Sequence, residues 1–477
     1  MHYAAQACYF VATVCLILGL KGMSSPRTAR SGILLAGGGM ILAIAAAFAF
    51  STRMYTLHPT LPSLGPSGHR FGLIVLAVAV GAIPAWWTGR KVAITNMPQM
   101  VAIYNGLGGG AAAAVGAIEL YSGHAYLGSL AFPVIAVLGV LVGTVAFGGS
   151  LVAFCKLQDW MGTLRLTGRH VVNGILVVAV VVLGVGSIFP HSLGIPLSWT
   201  VGFFLLASLA FGCLITLPIG GADMPVVISS YNACIGLAVG FEGFVIQNIA
   251  MIIAGTVVGA AGSLLTFLMA KAMNRTLGNV WFSDFGEATA TATVQAGGPP
   301  RTMKSIDAPD AAAIMGYAEN VIVVPGYGLA VAQAQHKLWD LVQMLEKRSV
   351  KVRFAIHPVA GRMPGHMSVL MAEAGVPYEL ISDLEEINGD FANADVALVI
   401  GANDVVNPAA RTDKGSPIYG MPILNVDQAR QVLVIKRGKG AGFSGVENEL
   451  FFGPNTQMVF GDAQQVIAKI IHSLKEV

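Results

Sequence analysis

Apolar residues run almost unbroken through the first 270 positions of the chain. A helix needs about 20 of them to cross roughly 30 Å of hydrocarbon. Nine stretches approach or exceed that length: Tyr3–Leu20, Ile33–Phe50, Phe71–Trp87, Met97–Ile118, Leu127–Phe154, Val171–Phe189, Leu197–Leu217, Met224–Phe241 and Phe244–Ala270. The eighth is interrupted by Ser229, Ser230, Tyr231 and Asn232. Beyond Ala270 the pattern changes. Met273 to about Pro309 is rich in Thr, Ala, Gly and Pro and has little periodicity, which reads as a linker.

After the linker, short apolar runs alternate with helical ones. Strands are expected at Asn320–Val324, Lys351–Ile356, Tyr378–Ile381, Asp395–Ile400, Pro422–Leu424, Gln431–Ile435 and Gln457–Phe460. Helices are expected at Leu329–Leu345, Met367–Glu373, Leu384–Asn393 and Ala463–Leu474. That alternation predicts a doubly wound parallel sheet. The chain therefore reads as a polytopic α-helical membrane domain over 1–270, a linker over 271–309 and a Rossmann-like α/β domain over 310–477.

Charge sharpens the division. The first 270 residues hold 10 Lys and Arg with 4 Asp and Glu, and the remaining 207 hold 18 with 21. An acidic soluble part argues against nucleic-acid binding. Connections on one side of the nine spans carry Lys21, Arg27, Arg30, Arg90, Lys91, Lys156, Arg165, Arg169, Lys271 and Arg275, whereas the other side has Arg53 and Arg70. That bias assigns the first set to the cytoplasm. The α/β domain is then cytoplasmic and the N-terminus lies outside. All five cysteines sit in the apolar half with no metal spacing and read as structural thiols.

Polar groups within the spans are few. Asp223 opens the eighth span, in Pro218-Ile219-Gly220-Gly221-Ala222-Asp223-Met224-Pro225, and Asn232 follows nine residues on, about 13 Å along a helix. Asn105 lies within the fourth span, and Glu119 and Glu242 lie near outer ends. A carboxylate at membrane depth is costly and marks a functional candidate. The bland alternatives are a helix N-cap for Asp223 and interhelical hydrogen bonds for the two asparagines. No His falls within a span, although His suits proton exchange near neutral pH.

In the α/β part the first strand runs through Pro325-Gly326-Tyr327-Gly328-Leu329 into a helix, the context of a dinucleotide turn. His357 stands where an NAD site has an acidic ribose ligand, which disfavours NAD. Three further loops follow strand ends, where open α/β sheets bind ligands. They are His357-Pro358-Val359-Ala360-Gly361-Arg362-Met363-Pro364-Gly365-His366, Gly401-Ala402-Asn403-Asp404-Val405-Val406-Asn407-Pro408, and Lys436-Arg437-Gly438-Lys439-Gly440-Ala441-Gly442-Phe443. The last sets three cations among glycines, suited to a phosphate and favouring NADP over a plain solvated loop. No nucleophile–base pair, metal set or substrate domain is visible. Hydride transfer between two nicotinamides needs no acid or base, so the second nicotinamide is expected on another chain.

These motifs, together with Gly220–Val227, Ala330-Val331-Ala332-Gln333-Ala334-Gln335 and Lys436-Arg437, resemble the beta subunit of the proton-translocating NAD(P) transhydrogenases along essentially the whole chain. The resemblance implies a proton-conducting membrane domain and a cytoplasmic domain that binds NADP(H) in an inverted orientation, without ordinary use of the glycine turn. It also implies an NAD(H)-binding alpha subunit of one or two chains, a dimer of such units, and residence in the bacterial cytoplasmic (inner) membrane. Residue by residue, it assigns Tyr327, Val359–Pro364, Gly401–Val405, Gly420, Met421, Lys436–Phe443, Asp462 and Ala463 to the cofactor, and Asp223 and Asn232 to proton passage. Many members carry His where this chain has Asn105, so either the exchanging His lies on a partner chain and faces Asn105, the arrangement preferred because the family contains such members, or coupling is altered. The rival expectation is a transporter or channel whose Rossmann-like domain senses nucleotide.

Overall fold

The computed structural model describes residues 2–23, 28–57, 68–93, 96–123, 129–158, 160–161, 168–190, 192–220, 223–273, 276–282, 302–363, 365–416, 418–438, 440, 442 and 444–476. The chain divides into two compact units, Met1–Pro218 with Ile228–Leu264 and Ile219–Val227 with Leu265–Val477.

Among the described residues, nine helices are long and apolar enough to cross a membrane. They are α1 (His2–Met23), α2 (Ala29–Leu57), α3 (Gly68–Lys91), α4 (Met97–Ser122), α5 (Ala131–Leu157), α6 (Arg169–Ile188), α7 (Leu197–Thr216), α8 (Met224–Val245) and α9 (Ile249–Ala272). Half of α5 and half of α8 are buried, while none of the α3 span is. Lipid supplies no hydrophobic drive between helices, so close backbone approach does the packing. A methyl on Gly109 of α4 would lie 2.8 Å from the Gly143 carbonyl of α5, and one on Gly143 would meet the Gly109 carbonyl at the same distance. Lys156, at the end of α5, donates to the carbonyls of Thr216 and Leu217. A cation thereby caps the C-terminus of α7.

The second unit holds the short helices α10 (Leu277–Phe282) and α11 (Ala308–Gly316) and then the sheet. In chain order come β1 (Asn320–Pro325), α12 (Tyr327–Val331), α13 (Gln335–Lys347), β2 (Lys351–Ile356), α14 (His366–Glu373), β3 (Ile381–Asp383), α15 (Leu384–Ile387), β4 (Val396–Ile400), α16 (Ala409–Thr412), β5 (Gln431–Lys436), β6 (Thr456–Phe460) and α17 (Ala463–Glu476). The six strands are all parallel, in the order β3-β2-β1-β4-β5-β6. This is the doubly wound fold, with its switch point between β1 and β4. β4 is buried at every position because helices cover both faces of such a sheet.

Four elements differ from the sequence expectation. The helix expected at Leu384–Asn393 is a single turn, Leu384–Ile387, followed by a separate turn of 3-10 helix at Asp390–Asn393. The helix expected at Leu329–Leu345 is two, broken by Gln333 at φ 50°. Pro422–Leu424 forms no strand: Leu424 N–H bonds to the Val405 carbonyl, which ties that stretch to the β4 loop. Tyr378–Leu380 is a turn of 3-10 helix, and the strand begins at Ile381. Ahead of β1, Ser305 bridges Met458 in parallel, so the incoming chain lies along β6.

Candidate functional site

Parallel strands deliver all their outgoing loops to one edge, and register fixes which loops meet. Pro325, Ile400 and Ile435 stand level across β1, β4 and β5, and Lys436 pairs with Phe460. The loops after β1, β2, β4, β5 and β6 therefore converge. A groove of about 580 Å³ lined by Asn320, Lys351, Arg353 and Asp390 lies at the opposite edge, where strands begin. Ligands of such sheets bind outside the carboxyl ends.

The glycine turn after β1 is closed by its neighbour. Gly326 N–H donates to the Ile400 carbonyl at 2.9 Å, and Gly328 N–H donates to the Gly401 carbonyl at 3.0 Å. A methyl on Gly328 would lie 2.7 Å from the Gly401 Cα. Gly401 itself has φ +66°, a conformation natural only to glycine. These glycines serve the β1–β4 contact. Their amides do not point at an anion, and α12, at five residues, is too short to present a strong dipole.

The β2 loop is held by two histidines. His357 Nδ1 accepts Val359 N–H at 3.2 Å, which leaves the proton on Nε2, and Nε2 donates to the Pro422 carbonyl at 2.7 Å. Burial pushes the His357 pKa down to about 4. The link ties Val359 and Ala360 to the segment carrying Gly420 and Met421. His366 is wholly buried, and its Nδ1 accepts Arg362 N–H at 3.1 Å. Burial, and then the Arg362 charge, lower its pKa as well. Gly361 at φ +112° passes so close to His366 that a methyl would lie 2.6 Å from its Cβ. The Arg362 guanidinium lies 4.7 Å over the Tyr327 ring, joining the β1 and β2 loops.

The β5 loop is latched onto the β4 loop. Asp404 accepts Ser444 N–H at 2.9 Å and the Ser444 hydroxyl at 2.7 Å. Asn448 Nδ2 donates to Asn403 at 2.9 Å, and Asn407 Nδ2 donates to the Glu447 carbonyl at 3.1 Å. Gly442 packs so tightly on Asn403 and Asp404 that a side chain there would overlap both. Lys436 lies over the Phe451 ring and donates to the Gly440 carbonyl. Burial lowers its pKa, against the raising effect of Asp404. Arg437, Gly438 and Gly440 are exposed, and nothing lies within 4 Å of a Cβ built on either glycine.

Most of the residues expected at the site are thus at the same sheet edge: Tyr327, Val359, Ala360, Gly361, Arg362, Met363, Gly401, Ala402, Asn403, Asp404, Val405, Lys436, Arg437, Gly438, Gly440 and Gly442. Gly420 and Met421 join through His357 and Pro422. Asp462 has a structural occupation: its Oδ1 accepts Gln464 N–H at 3.1 Å at the start of α17, beside Ala463. Pro364, Lys439, Ala441 and Phe443 lie outside the described residues. Sequence reasoning missed Ser444 and Asn448, polar loop residues without a motif, and gave no role to His366.

In the helix unit, Asn105 Nδ2 donates to the Ile228 carbonyl at 3.2 Å, bringing α4 onto α8 one turn before Asn232. Asp223, which falls in the second unit, directly precedes α8, and its carbonyl accepts Val227 N–H at 3.1 Å, as an N-cap residue's does.

A family model described as NAD(P) transhydrogenase beta subunit matches residues 5–473. The chain is 44% identical over 484 residues to the Rhodospirillum rubrum protein named NAD(P) transhydrogenase subunit beta, with 99% of each chain covered. A protein of that name from a designated strain of Rhodospirillum rubrum matches with the same identity and coverage.

Proposed function

Because the chain belongs to the NAD(P) transhydrogenase beta subunit family, we propose that its sheet unit binds NADP(H) and that its helix unit couples hydride transfer to inward proton movement. An alpha subunit, in one or two chains, brings NAD(H), and the assembly is a homodimer of such units. The observation that carries this reading is the closed glycine turn beside an open basic loop. Gly326 and Gly328 spend their amides on the β4 loop, so an ordinary NAD seat is lost. Lys436, Arg437, Gly438 and Gly440 offer charge and accessible backbone at the same edge, as a 2′-phosphate requires.

On this reading Tyr327 and Arg362 form one wall, and Val359, Ala360, Gly420 and Met421 another. Asn403 and Asp404 support the basic loop from beneath. Bound NADP(H) supplies a nicotinamide C4 that takes or gives hydride. The chain's own residues bind and orient it, and none acts as acid or base. One charge crossing 100 mV is worth about 2.3 kcal/mol, enough to move a near-balanced exchange by well over tenfold. Coupling then requires NADP(H) affinity to depend on protonation in the spans. Asn105 and Asn232 hold no exchangeable charge, so a partner chain supplies the exchanging His beside them. The charge bias of the connections supports a cytoplasmic sheet unit and an external N-terminus in a bacterial inner membrane.

The test uses the purified full chain. It should bind NADPH alone and transfer hydride to an NAD analogue only after an NAD(H)-binding partner is added. Rapid turnover by this chain alone on a small-molecule substrate would overturn the division of labour.

A further inference from the structure

Glu242 lies three residues before the end of α8, and its side chain is 0% exposed. Among the described residues, neither of its carboxyl oxygens has a hydrogen-bond partner. The space it fills is made by two other helices. Gly116 of α4 and Gly139 of α5 both face it, and a methyl on either would overlap Oε1. Two glycines on separate helices thus make a slot that fits one carboxyl group. α8 also packs on α7 through the Tyr231–Thr216 hydroxyl pair, and on α9 through Ser229 and Gly262.

No described cation compensates the group. α7 carries no charged residue, and Lys156 and Lys271 stand at the opposite ends of α5 and α9 from Gly139 and Ile249. Glu119, three residues along α4 from Gly116, is a second acid and brings no counter-charge. An ionised carboxylate with neither counter-charge nor donor is too costly at such a site and takes up a proton instead. An apolar residue would fill the slot without that cost, so a packing role alone does not account for a carboxyl there.

We infer that Glu242 is an occluded proton site: the carboxyl takes a proton onto one oxygen, holds it in the Gly116–Gly139 slot, and releases it from the same group when the helices move. It stands ten residues from Asn232 on α8, about 15 Å along the helix. It thus forms a second station on the proton route, beyond the asparagines. The inference rests on the proton-coupled reading proposed above, so the experiment must tell the two apart.

The full chain with its NAD(H)-binding partner is placed in sealed vesicles, and proton uptake and hydride transfer are recorded with and without Glu242→Gln. Glu242→Gln should lower proton-linked turnover at least tenfold while NADPH still binds. Normal pumping by Glu242→Gln would overturn the site and leave the coupled reading standing. Absence of proton movement in the unsubstituted enzyme would overturn the coupled reading itself. An infrared measurement does not depend on the variant assembling. The unsubstituted enzyme should show the carbonyl band of a protonated carboxylic acid that persists at mildly alkaline pH and shifts on deuteration. Lack of that band would overturn the site, as would its survival in Glu242→Gln.

Discussion

Asp404 holds Ser444 with both carboxylate oxygens, one on the backbone N–H at 2.9 Å and one on the hydroxyl at 2.7 Å. That single side chain fixes where the basic loop lies over the β4 loop. Ser444→Ala should remove about 1 kcal/mol of this latch and raise the NADPH Kd several-fold. Asp404→Ala, which loses both contacts, should cost more. Fluorescence titration of the full chain reads both values, and the reverse order would argue against the latch.

Cofactor choice is tested at Lys436 and Arg437. Replacing both with Gln should weaken NADP about tenfold to a hundredfold, the worth of one charged, multiply bonded contact. NAD should change little, because it lacks the 2′-phosphate. Equal losses for the two nucleotides would remove these residues from that role.

Part of the pH dependence of the sheet unit follows from His357, and the lowered pKa of His366 acts in the same direction. The His357 pKa is about 4 in the fold against 6.5 when unfolded. The unfolded chain therefore binds the extra proton first as pH falls. His357 destabilises nothing above about pH 6.5, and the fold loses stability progressively from there to about pH 4, by at most about 3 kcal/mol. His357→Asn should flatten that part of the profile in thermal unfolding across the same range. An unchanged slope would mean another group carries it.

Gly401 and Gly438 make a matched pair. At Gly401 a methyl would lie 2.5 Å from Leu329 N at φ +66°, so Gly401→Ala should cost about 1–3 kcal/mol or more. At Gly438 nothing stands within 4 Å, and Gly438→Ala should fold normally. Comparing the melting temperatures of the two variants decides whether the β1–β4 contact is as tight as it looks.

Asp223→Asn should cut proton-linked turnover in sealed vesicles while NADPH binding persists. Pumping at the normal rate would leave Asp223 with its N-cap role alone.

The sheet was readable in advance because its strands are buried on both faces. Val321–Val324 and Val396–Ile400 are continuous apolar runs that no alternation disguises. The break in Leu329–Leu345 was not readable, since Gln333 adopts φ 50° within an otherwise helical pattern. Pro422–Leu424 looks like a strand by residue type, but Leu424 bonds to the β4 loop and leaves the sheet. The same limit applies to the site. Strand-end loops announce themselves by position and composition, whereas the partners of His366, Ser444 and Asn448 depend on which loops the sheet order makes neighbours. The glycine turn shows it most plainly: Gly326 and Gly328 read as a phosphate seat, yet the backbone they admit is that of the neighbouring loop.

The chain ahead of β1 also guards the sheet. Met458 N–H bonds to the Lys304 carbonyl at 2.8 Å, and Ile306 N–H bonds to the Met458 carbonyl at 3.0 Å, so residues 304–306 occupy the outer side of β6. At the other margin, β3 is only three residues long. A fragment cut after Ile306 would bare a run of unpaired strand amides that invites a second molecule to add itself. Such a fragment should gather into oligomers as its concentration rises, whereas one that retains residues 302–306 should stay monodisperse.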